Sequence, residues 1–236
     1  MPPITLLTDF GTRDPYVAAM KGVIASRCQA RIVDLTHEIA PFDVWEAAFF
    51  LRDVVRYWPE GTIFVCVVDP GVGTARRIIA MESDGRVFLA PDNGLLHFIE
   101  GEACDVTNES LFLPHGSTTF HGRDRFAPVA AALANGLPVG QLGPSIDDRM
   151  ALDYTPGCII RVDRFGNCIT DLVPPEGSFA VMAGGRRIDD LRTTYTGSGA
   201  FLIIGSTGCV EISVANGSAA SLLHLGRGDR VSIVSR

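Results

Sequence analysis

Three short polar segments carry the residues whose types and spacing could do chemistry. Asp9 lies in "LLTDFGTRDPY", Asp69 and Arg76 lie in "VVDPGVGTARR", and His121 lies in "STTFHGRDRF". A carboxylate and an imidazole can move a proton, and a guanidinium supplies a fixed positive charge, so this set could activate a water molecule. Each residue also has a structural explanation: an aspartate in a turn, a solvated arginine, or a buried and hydrogen-bonded histidine.

The apolar runs before these segments predict that the segments meet. Asp9 ends the run "ITLLT", and Asp69 follows the run "TIFVCVV". Ligands of open α/β sheets bind beyond the carboxyl ends of the strands. We therefore expect Asp9 and Asp69 to lie on the same edge of one sheet. The tight, glycine-rich "DPGVGT" would let backbone approach a ligand closely, although it lacks the GK[ST] of a phosphate-binding loop.

Strand and helix patterns alternate over the first 150 residues, which predicts an α/β layer with a mostly parallel sheet. Asp14 and Pro15 predict the cap and first residue of a helix. Asp43, with Glu46 three residues later, predicts a second helix that begins with a capping box. A hairpin is predicted at "SDGR", where the Asp-Gly pair favours a type I′ turn. The segment "GRDRFAPVAAALANG" predicts a helix stopped by Gly136.

The pattern changes after about residue 150. From residue 157 onward, six short β-type runs are separated by Gly, Asn, Pro and Ser, and "GSAASLLHL" is the one short helical candidate. This pattern is typical of a small antiparallel barrel or sandwich. We therefore expect two domains: residues 1–152, a Rossmann-like α/β domain with the catalytic set, and residues 153–236, a β-barrel.

The composition of the chain argues against several classes of protein, namely nucleic-acid-binding, membrane-spanning and secreted proteins. The 236 residues carry a formal net charge of −7, whereas nucleic-acid binders show a basic patch or stripe, so no nucleic-acid partner is expected. No run approaches the roughly 18 apolar residues that span a bilayer, and the first residues resemble a strand rather than a secretory signal. The six cysteines are scattered and lack a CxxC pair, which predicts reduced thiols in the cytoplasm.

Taken together, the motifs resemble one known family. In order, they are "TDFG", "DPYVAAMKG", "DLTHEI", "VDPGVGTAR", "APDNGLL", "TFHGRDRFAPVAA", "DRFGNCITD" and "EISVANGSA". The chain is similar in these motifs to the S-adenosyl-L-methionine hydroxide adenosyltransferases, relatives of the fluorinase and chlorinase. The resemblance runs from about residue 4 to the carboxyl end.

The resemblance implies a hydrolase that converts S-adenosyl-L-methionine and water to adenosine and L-methionine, without cofactor or metal. The family's catalytic set falls on Asp69, Arg76 and His121, and either Asp69 or His121 could take the proton. A homotrimer is implied, with each site between one subunit's first domain and its neighbour's barrel. In the halogenating relatives a tyrosine stands where Asp69 stands, and hydroxyl residues stand near the positions of Val72 and Gly122.

The resemblance also implies the substrate contacts. Asp9 would accept the ribose hydroxyls, Phe42 and Tyr195 would form aromatic walls, and Asp163 would pair with the methionine ammonium. Asn167 and Gly217 would bind the adenine, and Ser206 would bind the methionine carboxylate next to Thr207, where the fluorinase has an arginine. Phe42 replaces a tryptophan of the fluorinase. The substrate-binding candidates are thus Asp9, Asp14, Phe42, Asp163, Asn167, Tyr195, Ser206 and Gly217.

Two other functions compete with hydrolysis by this route. The first is a metal-dependent hydrolase with Asp9, Asp69 and His121 as ligands, against which stands the absence of HxH, HExxH or DxD spacing. The second is a sensor that binds S-adenosylmethionine or adenosine without turnover. Retention of all three catalytic residue types argues against the sensor.

Overall fold

The structure, a computed structural model, describes residues 1–235 and divides the chain into two compact units, Met1–Asp153 and Tyr154–Arg236. The first unit combines helices with a seven-stranded sheet, and the second consists mainly of strands in two smaller sheets. The protein is therefore a mixed α/β fold in which strands outnumber helices.

The first unit contains seven strands and three α-helices, which position the polar segments. Its strands are β1 (Ile4–Thr8), β2 (Ile32–Thr36), β3 (Ile63–Val67), β4 (Ile78–Ser83), β5 (Arg86–Pro91), β6 (Glu102–Asp105) and β7 (Ser145–Ile146). Its α-helices are α1 (Tyr16–Ala25), α2 (Val44–Val54) and α3 (Ala127–Ala134). A π-helical turn, Gly122–Phe126, leads directly into α3.

Only half of the strand pairings in the seven-stranded sheet are parallel. The strand order is β2-β1-β3-β5-β4-β6-β7, with parallel pairing from β2 to β5 and antiparallel pairing beyond it. The prediction of a mostly parallel sheet therefore holds only for the half of the sheet from β2 to β5. The physical reason is the predicted hairpin, where Asp84 and Gly85 take φ values of 46° and 68° and turn β4 back against β5.

Both faces of the parallel strands are buried, which explains their continuous apolar sequences. Ile4 and Leu6 of β1 pack with Met20 of α1 and with α3 on one face. On the other face, Leu7 packs with Leu51 of α2. Helices thus cover both sides of the sheet and leave the carboxyl ends of β1 and β3 as the edge from which loops emerge.

The start of α2 follows the predicted cap, with one difference. The carboxylate of Asp43 accepts a hydrogen bond of 2.9 Å from the Glu46 amide, as a helix cap should. In a capping box, the Glu46 carboxylate would accept from the Asp43 amide. Here it accepts from the Ala40 amide at 3.0 Å, because the Asp43 amide already donates to the Ala40 carbonyl. Of the two hydrogen bonds of the predicted capping box, only the one accepted by the Asp43 carboxylate is therefore formed.

The predicted start of α1 was wrong by one residue. Asp14 does not cap this helix; Pro15 occupies the cap position, and its carbonyl accepts the first helical hydrogen bond from Ala19 at 2.9 Å. Proline has no side-chain acceptor, so this helix begins without a side-chain cap. The α3 prediction is confirmed at its end, where Gly136 has a φ of 95° just beyond the helix.

Residues 154–235 of the second unit contain eight strands and one short helix. They are β8 (Ile159–Val162), β9 (Cys168–Thr170), β10 (Phe179–Ala183), β11 (Arg186–Ile188), β12 (Leu191–Arg192), β13 (Ala200–Ile204), β14 (Val210–Val214), α4 (Ala219–Leu223) and β15 (Val231–Ser235). One sheet has the order β11-β10-β15 and the other β12-β13-β14-β9-β8. Every pairing is antiparallel except that of β12 with β13. A single apolar cluster, which includes Ile159, Val181 and Ile212, forms the core of this unit.

The length of the helices and the state of the cysteines bear on the class of protein to which the chain belongs. Between residues 1 and 235, no helix combines the length and the apolar character needed to cross a bilayer. All six cysteines are free thiols, five of them buried, and burial raises the pKa of the Cys168 thiol to about 11. The Cys168 thiol therefore stays protonated at neutral pH, and the buried cysteines pack as small apolar side chains.

Candidate active site

The carboxyl ends of β1 and β3 meet at one pocket. These strands pair in parallel with Thr8 opposite Val67, so the residues that follow them emerge side by side. Asp9 and Asp69 both line a pocket of about 420 Å³, together with His121. The structure thus places the acidic residues of the first two polar segments at the same sheet edge, next to the histidine of the third.

Arg76 joins Asp69 to His121. Its Nε lies 2.9 Å from both carboxylate oxygens of Asp69, and its Nη2 contacts Asp69 Oδ2 as well. The same Nη2 lies 2.8 Å from His121 Nδ1. The side chains of Arg76 and Asp69 are 9 % and 5 % exposed, and His121 is 2 % exposed, so the three form a buried ionic cluster rather than a surface contact.

The loop after β3 has the shape that this cluster requires. Tight turns close within it, where the Val72 amide donates to the Asp69 carbonyl at 3.2 Å and the Thr74 amide to the Gly71 carbonyl at 3.1 Å. Gly73 has a φ of 81°, and a Cβ at this position would stand 2.7 Å from the Thr118 carbonyl oxygen. The loop therefore approaches the segment that carries His121 at a distance that only glycine permits.

His121 is held at the start of the π-helical turn that precedes α3. Asp124, in that turn, accepts hydrogen bonds from the Ser117 amide at 2.7 Å and from the Arg123 guanidinium. Asp124 is buried, and the neighbouring arginine lowers the pKa of its carboxyl group in spite of that burial. The charged residues of "HGRDRF" thus fold the loop back onto the helix and fix the position of the imidazole.

The electrostatics of the cluster decide the form of His121. Burial, with the positive charges of Arg125 and Arg76, lowers the pKa of His121 to about 4, so the imidazole is neutral at neutral pH. A guanidinium can only donate, so His121 Nδ1 accepts from Arg76 and the ring proton lies on Nε2. Within residues 1–235, His121 Nε2 and Arg76 Nη1 are buried and have no hydrogen-bond partner. Both atoms are unused donors, and His121 also lines the pocket.

Asp9 is held by a backbone amide from another loop. Its Oδ2 accepts from the Phe42 amide at 2.8 Å. Phe42 has a φ of 67°, which is rare for a bulky side chain and costs on the order of 1–3 kcal/mol. Its ring is 70 % exposed at the rim of the pocket. The structural alternative for Asp9 was a turn at the end of β1. Thr8 forms that turn instead, because its hydroxyl accepts from the Phe10 amide at 3.3 Å.

Aromatic side chains line the rest of this pocket. Phe10, Tyr16 and Phe120 stand within 5.1–6.0 Å of one another by ring centroid and are among the lining residues. Asp14, a predicted substrate contact, is exposed and is not among the lining residues. The pocket thus combines apolar walls with a polar centre at the cluster.

The five substrate candidates of the second unit line a separate cavity of about 810 Å³. They are Asp163, Asn167, Tyr195, Ser206 and Gly217. Asp163 Oδ1 accepts from the amides of Phe165 and Asn167, and its Oδ2 accepts from the Asn167 side chain, each at 2.9 Å. The turn role considered for Asp163 is therefore real, and the same turn directs Asn167 to the cavity wall.

Glu211 is a charged cavity residue that the sequence analysis missed. It lies within β14, is 7 % exposed, and its Oε2 accepts from the Tyr195 hydroxyl at 2.8 Å. Burial raises the pKa of this carboxyl group, and burial with the same hydrogen bond raises the pKa of Tyr195 to about 12. A carboxylate inside the apolar run "CVEISV" was the available signal.

The donor geometry offers little to a metal ion. Among the side chains of residues 1–235, no three His, Cys, Asp or Glu residues are grouped so that they could share one ion. Asp69, a ligand in the metal-dependent hypothesis, has both oxygens within hydrogen-bond distance of the Arg76 guanidinium, which would repel a cation.

Comparison with known proteins identifies the family. Models of the amino- and carboxyl-terminal domains of the SAM hydroxide adenosyltransferases match residues 4–143 and 157–232. The chain belongs to the SAM hydroxide adenosyltransferase family. It is 40 % identical to the (R)-S-adenosyl-L-methionine hydrolase of Thermus thermophilus, across 99 % of this chain and all of that protein.

Other relatives of this SAM hydroxide adenosyltransferase family member include halogenating enzymes and a solved structure. The fluorinase of an Actinoplanes species is 32 % identical, over 72 % of each chain. A crystal structure of an uncharacterized conserved protein from Thermotoga maritima superposes with a TM-score of 0.90 at 33 % identity and covers 98 % of this chain and 99 % of that one. The match to the hydrolase thus spans more of the chain than the match to the fluorinase.

The protonation state of His121 in this family member can be measured directly. Because Nδ1 accepts from Arg76, nitrogen-15 spectra should show a neutral imidazole with the proton on Nε2 from pH 8 down to about pH 5. Protonation should follow only as the pH approaches about 4. Between pH 6.5 and 4 the unfolded state binds a proton that the folded state refuses, so the free energy of unfolding should fall as the pH is lowered through this range. His121→Asn identifies the resonance, and titration near pH 6.5 would contradict the assignment.

The close approach at Gly73 can be tested against a matched glycine. Gly73 and Gly136 both have positive φ, but a Cβ at Gly136 meets nothing within 4 Å. Gly136→Ala should lower the free energy of unfolding by roughly 1–2 kcal/mol, the cost of a left-handed residue alone. Gly73→Ala should lower it further and shift the His121 resonances, because the Thr118 segment must move. Equal losses in urea unfolding, with unchanged His121 resonances, would show that the approach does not matter.

Proposed function

We propose that this chain hydrolyses S-adenosyl-L-methionine to adenosine and L-methionine. The observation that carries the proposal is the buried cluster of Asp69, Arg76 and His121 at the wall of a pocket. The full-length similarity to a protein named (R)-S-adenosyl-L-methionine hydrolase supports the choice of substrate. In this reaction a water oxygen attacks C5′ of the ribose, a C–O bond forms, and the C–S bond breaks with its electron pair on sulfur.

The difficulty of this reaction lies in the nucleophile. Sulfur leaves as a neutral thioether, so no acid is needed to protonate the leaving group. Water has a pKa of about 15.7 and attacks poorly until it loses a proton. A site that stabilises hydroxide and holds it in line with C5′ would therefore lower the barrier, by roughly 7–11 kcal/mol from positioning in the best case.

The cluster divides these tasks among its members. Arg76 Nη1 and His121 Nε2 are buried donors without partners among residues 1–235, which suits them to bind and stabilise hydroxide. Because His121 Nδ1 accepts from Arg76, its Nε2 cannot accept the proton of the water. We therefore assign Asp69 as the proton acceptor and His121 as a donor that orients the nucleophile.

The substrate contacts are proposed from the family resemblance and supported by the two pockets. Asp9 would accept the ribose hydroxyls beside the exposed ring of Phe42. The cavity of the second unit would take the adenine and methionyl groups, with Tyr195 as a wall; its other proposed contacts are Asp163, Asn167, Ser206 and Gly217. Asp14 is exposed and outside both linings, so the pockets give it no support.

The finer description of the fold belongs to the same proposal. Residues 1–152 would be a Rossmann-like domain that carries the catalytic set, and residues 153–236 a β-barrel that completes the ligand pocket. The parallel strands β2, β1, β3 and β5 support the former, and the two small sheets around one apolar core support the latter. No cofactor or metal is needed for the chemistry, and the free thiols support a cytoplasmic location.

The halogenase and sensor alternatives receive less support. A Cβ on Gly122 would stand 3.1–3.3 Å from Met20, Phe10 and Phe120, so a hydroxyl side chain there would be crowded. Val72, at the rim, offers no hydroxyl either. Arg76 Nη1 is buried and has no partner among residues 1–235, and an unpaired buried donor costs about 1–3 kcal/mol. A protein that only binds its ligand would gain nothing from this cost.

The activity can be tested with chelator-treated protein. S-Adenosylmethionine should yield adenosine and methionine in equal amounts, whether or not chloride is present, and oxygen-18 from labelled water should appear in the 5′-hydroxyl of adenosine. Asp69→Asn and His121→Ala should lower kcat by roughly 10²–10⁴-fold, whereas Asp147→Asn, at an exposed position, should not. Ligand binding without turnover would favour the sensor, loss of activity with chelator the metal enzyme, and a chlorinated nucleoside the halogenase.

We also propose a homotrimer whose sites combine the first unit of one subunit with the second unit of its neighbour. The family resemblance implies this assembly, and the two half-sites in separate units support it. Light scattering should give about three times the 25.3 kDa mass of the chain.

Mixed subunits test whether the sites are shared. Asp69→Asn and Asp163→Ala variants should each be nearly inactive alone. After mixing and reassembly, activity should return to about a quarter of the wild-type level, since each half-site is intact in half of the subunits. No recovery, with exchange shown by mass spectrometry, would place each site within one subunit.

A further inference from the structure

Glu211 is a carboxylate at a position where the fold has no need of one. It lies in β14, the central strand of the five-stranded sheet, between Ile203 of β13 and Ile169 of β9. It is 7 % exposed, and burial raises the pKa of its carboxyl group, so the charged form is penalised there. An apolar residue of similar size would stabilise such a strand at least as well. Stability therefore does not explain the charge.

The surrounding residues keep this carboxylate in one place. The Tyr195 hydroxyl donates to Oε2 at 2.8 Å. Gly205 lies against the other oxygen, because a Cβ at this position would stand 1.9 Å from Oε1. A hydrogen bond from Tyr195 on one side and the close approach of Gly205 on the other thus hold Glu211 in the orientation seen in the structure.

The cavity that Glu211 lines has an acidic balance. Its charged lining residues are Asp163, Glu211 and Arg161, two acidic and one basic. The positive charge of Arg161 favours ionised Glu211, whereas Asp163 disfavours it. With both carboxylates ionised, one negative charge would remain in a cavity of about 810 Å³, which is large enough for a ligand. A cationic group of the ligand would complete the balance.

The two acidic residues differ in their free capacity to accept hydrogen bonds. A carboxylate offers about four lone-pair sites. Asp163 uses three of them within its own turn. Glu211 receives one described hydrogen bond from residues 1–235, that of Tyr195. Glu211 thus has more capacity left for a donor with several N–H groups.

We propose that Glu211, oriented by Tyr195 and Gly205, accepts a hydrogen bond from the α-ammonium group of the bound substrate, alongside Asp163. This inference rests on the proposed function, since S-adenosylmethionine supplies the ammonium. A primary ammonium has three donors, which the two carboxylates can share. Glu211 would make the second cavity specific for ligands that keep the amino-acid portion, and Tyr195 would act as both a wall and a positioning residue.

Two stable probes separate this role from a structural one. S-Adenosylhomocysteine carries the α-ammonium and a neutral sulfur, whereas 5′-methylthioadenosine lacks the amino-acid portion. Glu211→Gln keeps the shape and removes the charge, and should weaken S-adenosylhomocysteine roughly 10- to 100-fold in calorimetry. Binding of 5′-methylthioadenosine should change less than about twofold, since it makes no such charged hydrogen bond. Gly205→Ala should reproduce this selective loss by displacing the carboxylate, and Tyr195→Phe should reproduce it more weakly.

The control is Glu176→Gln, which makes the same change at an exposed position and should affect neither probe. Equal weakening of both probes by Glu211→Gln would show a structural role and overturn the proposal, as would no weakening of either. A loss seen in the KM for S-adenosylmethionine but not in the affinity for S-adenosylhomocysteine would place the carboxylate at the sulfonium instead, and would also overturn it. If the wild type releases no adenosine from S-adenosylmethionine, the proposed function fails together with this inference. If it does release adenosine but does not bind S-adenosylhomocysteine, or if Glu211→Gln binds both probes as the wild type does, only this inference fails.

Discussion

The contact of Arg76 with Asp69 and His121 is the interaction on which the candidate site depends. A buried guanidinium without a carboxylate would cost several kcal/mol, so Asp69 is required wherever Arg76 is buried. Once Arg76 is fixed, its Nη2 determines which nitrogen of His121 carries the proton. The position and charge of the arginine thus set the chemical state of the histidine, and the depressed pKa of His121 is a consequence of the same burial and charge.

The fold supports this contact with rigid strands and with loops under local constraint. β1 and β3 pair side by side, and the residues just beyond them carry Asp9 and Asp69. Unusual backbone conformations lie in the adjoining loops, at Gly73 and Phe42. A buried sheet tolerates little strain, whereas loops fixed by several hydrogen bonds can hold such conformations. The site therefore combines a rigid base with precise, costly loop geometry.

Much of the fold and of the candidate site was predictable from the sequence, because these features depend on local patterns. The apolar runs predicted β1 and β3, the Asp-Gly pair predicted the hairpin, and the sheet edge predicted that Asp9 and Asp69 would meet. The errors concern choices between neighbouring hydrogen-bond partners. Pro15 rather than Asp14 begins α1, and Glu46 bonds to Ala40 rather than to Asp43, differences that depend on three-dimensional positions of single amides.

Glu211 shows the other limit of sequence reasoning. Its strand was predicted, but its role depends on Tyr195 and Gly205, which are 16 and 6 positions away and meet it only in the folded unit. The apolar run "CVEISV" signals that this carboxylate is unusual, but the local pattern does not say that it faces a cavity. Contacts between distant segments therefore carried information that periodicity could not supply.

Carboxylates line both pockets, and this arrangement fits a cationic substrate in a reaction in which charge disappears. The first pocket is lined by Asp9 and Asp69 together with aromatic walls, and the second by Asp163 and Glu211. When hydroxide attacks a sulfonium, both charges diminish toward the transition state. Removing water from such reactants raises their energy more than that of the transition state, so apolar walls around a charged centre can contribute to the rate. The pairing of Arg76 with Asp69 engages Nε and Nη2 of the guanidinium and leaves Nη1 without a partner among residues 1–235, so the charge of the arginine is neutralised while one of its donors stays unused.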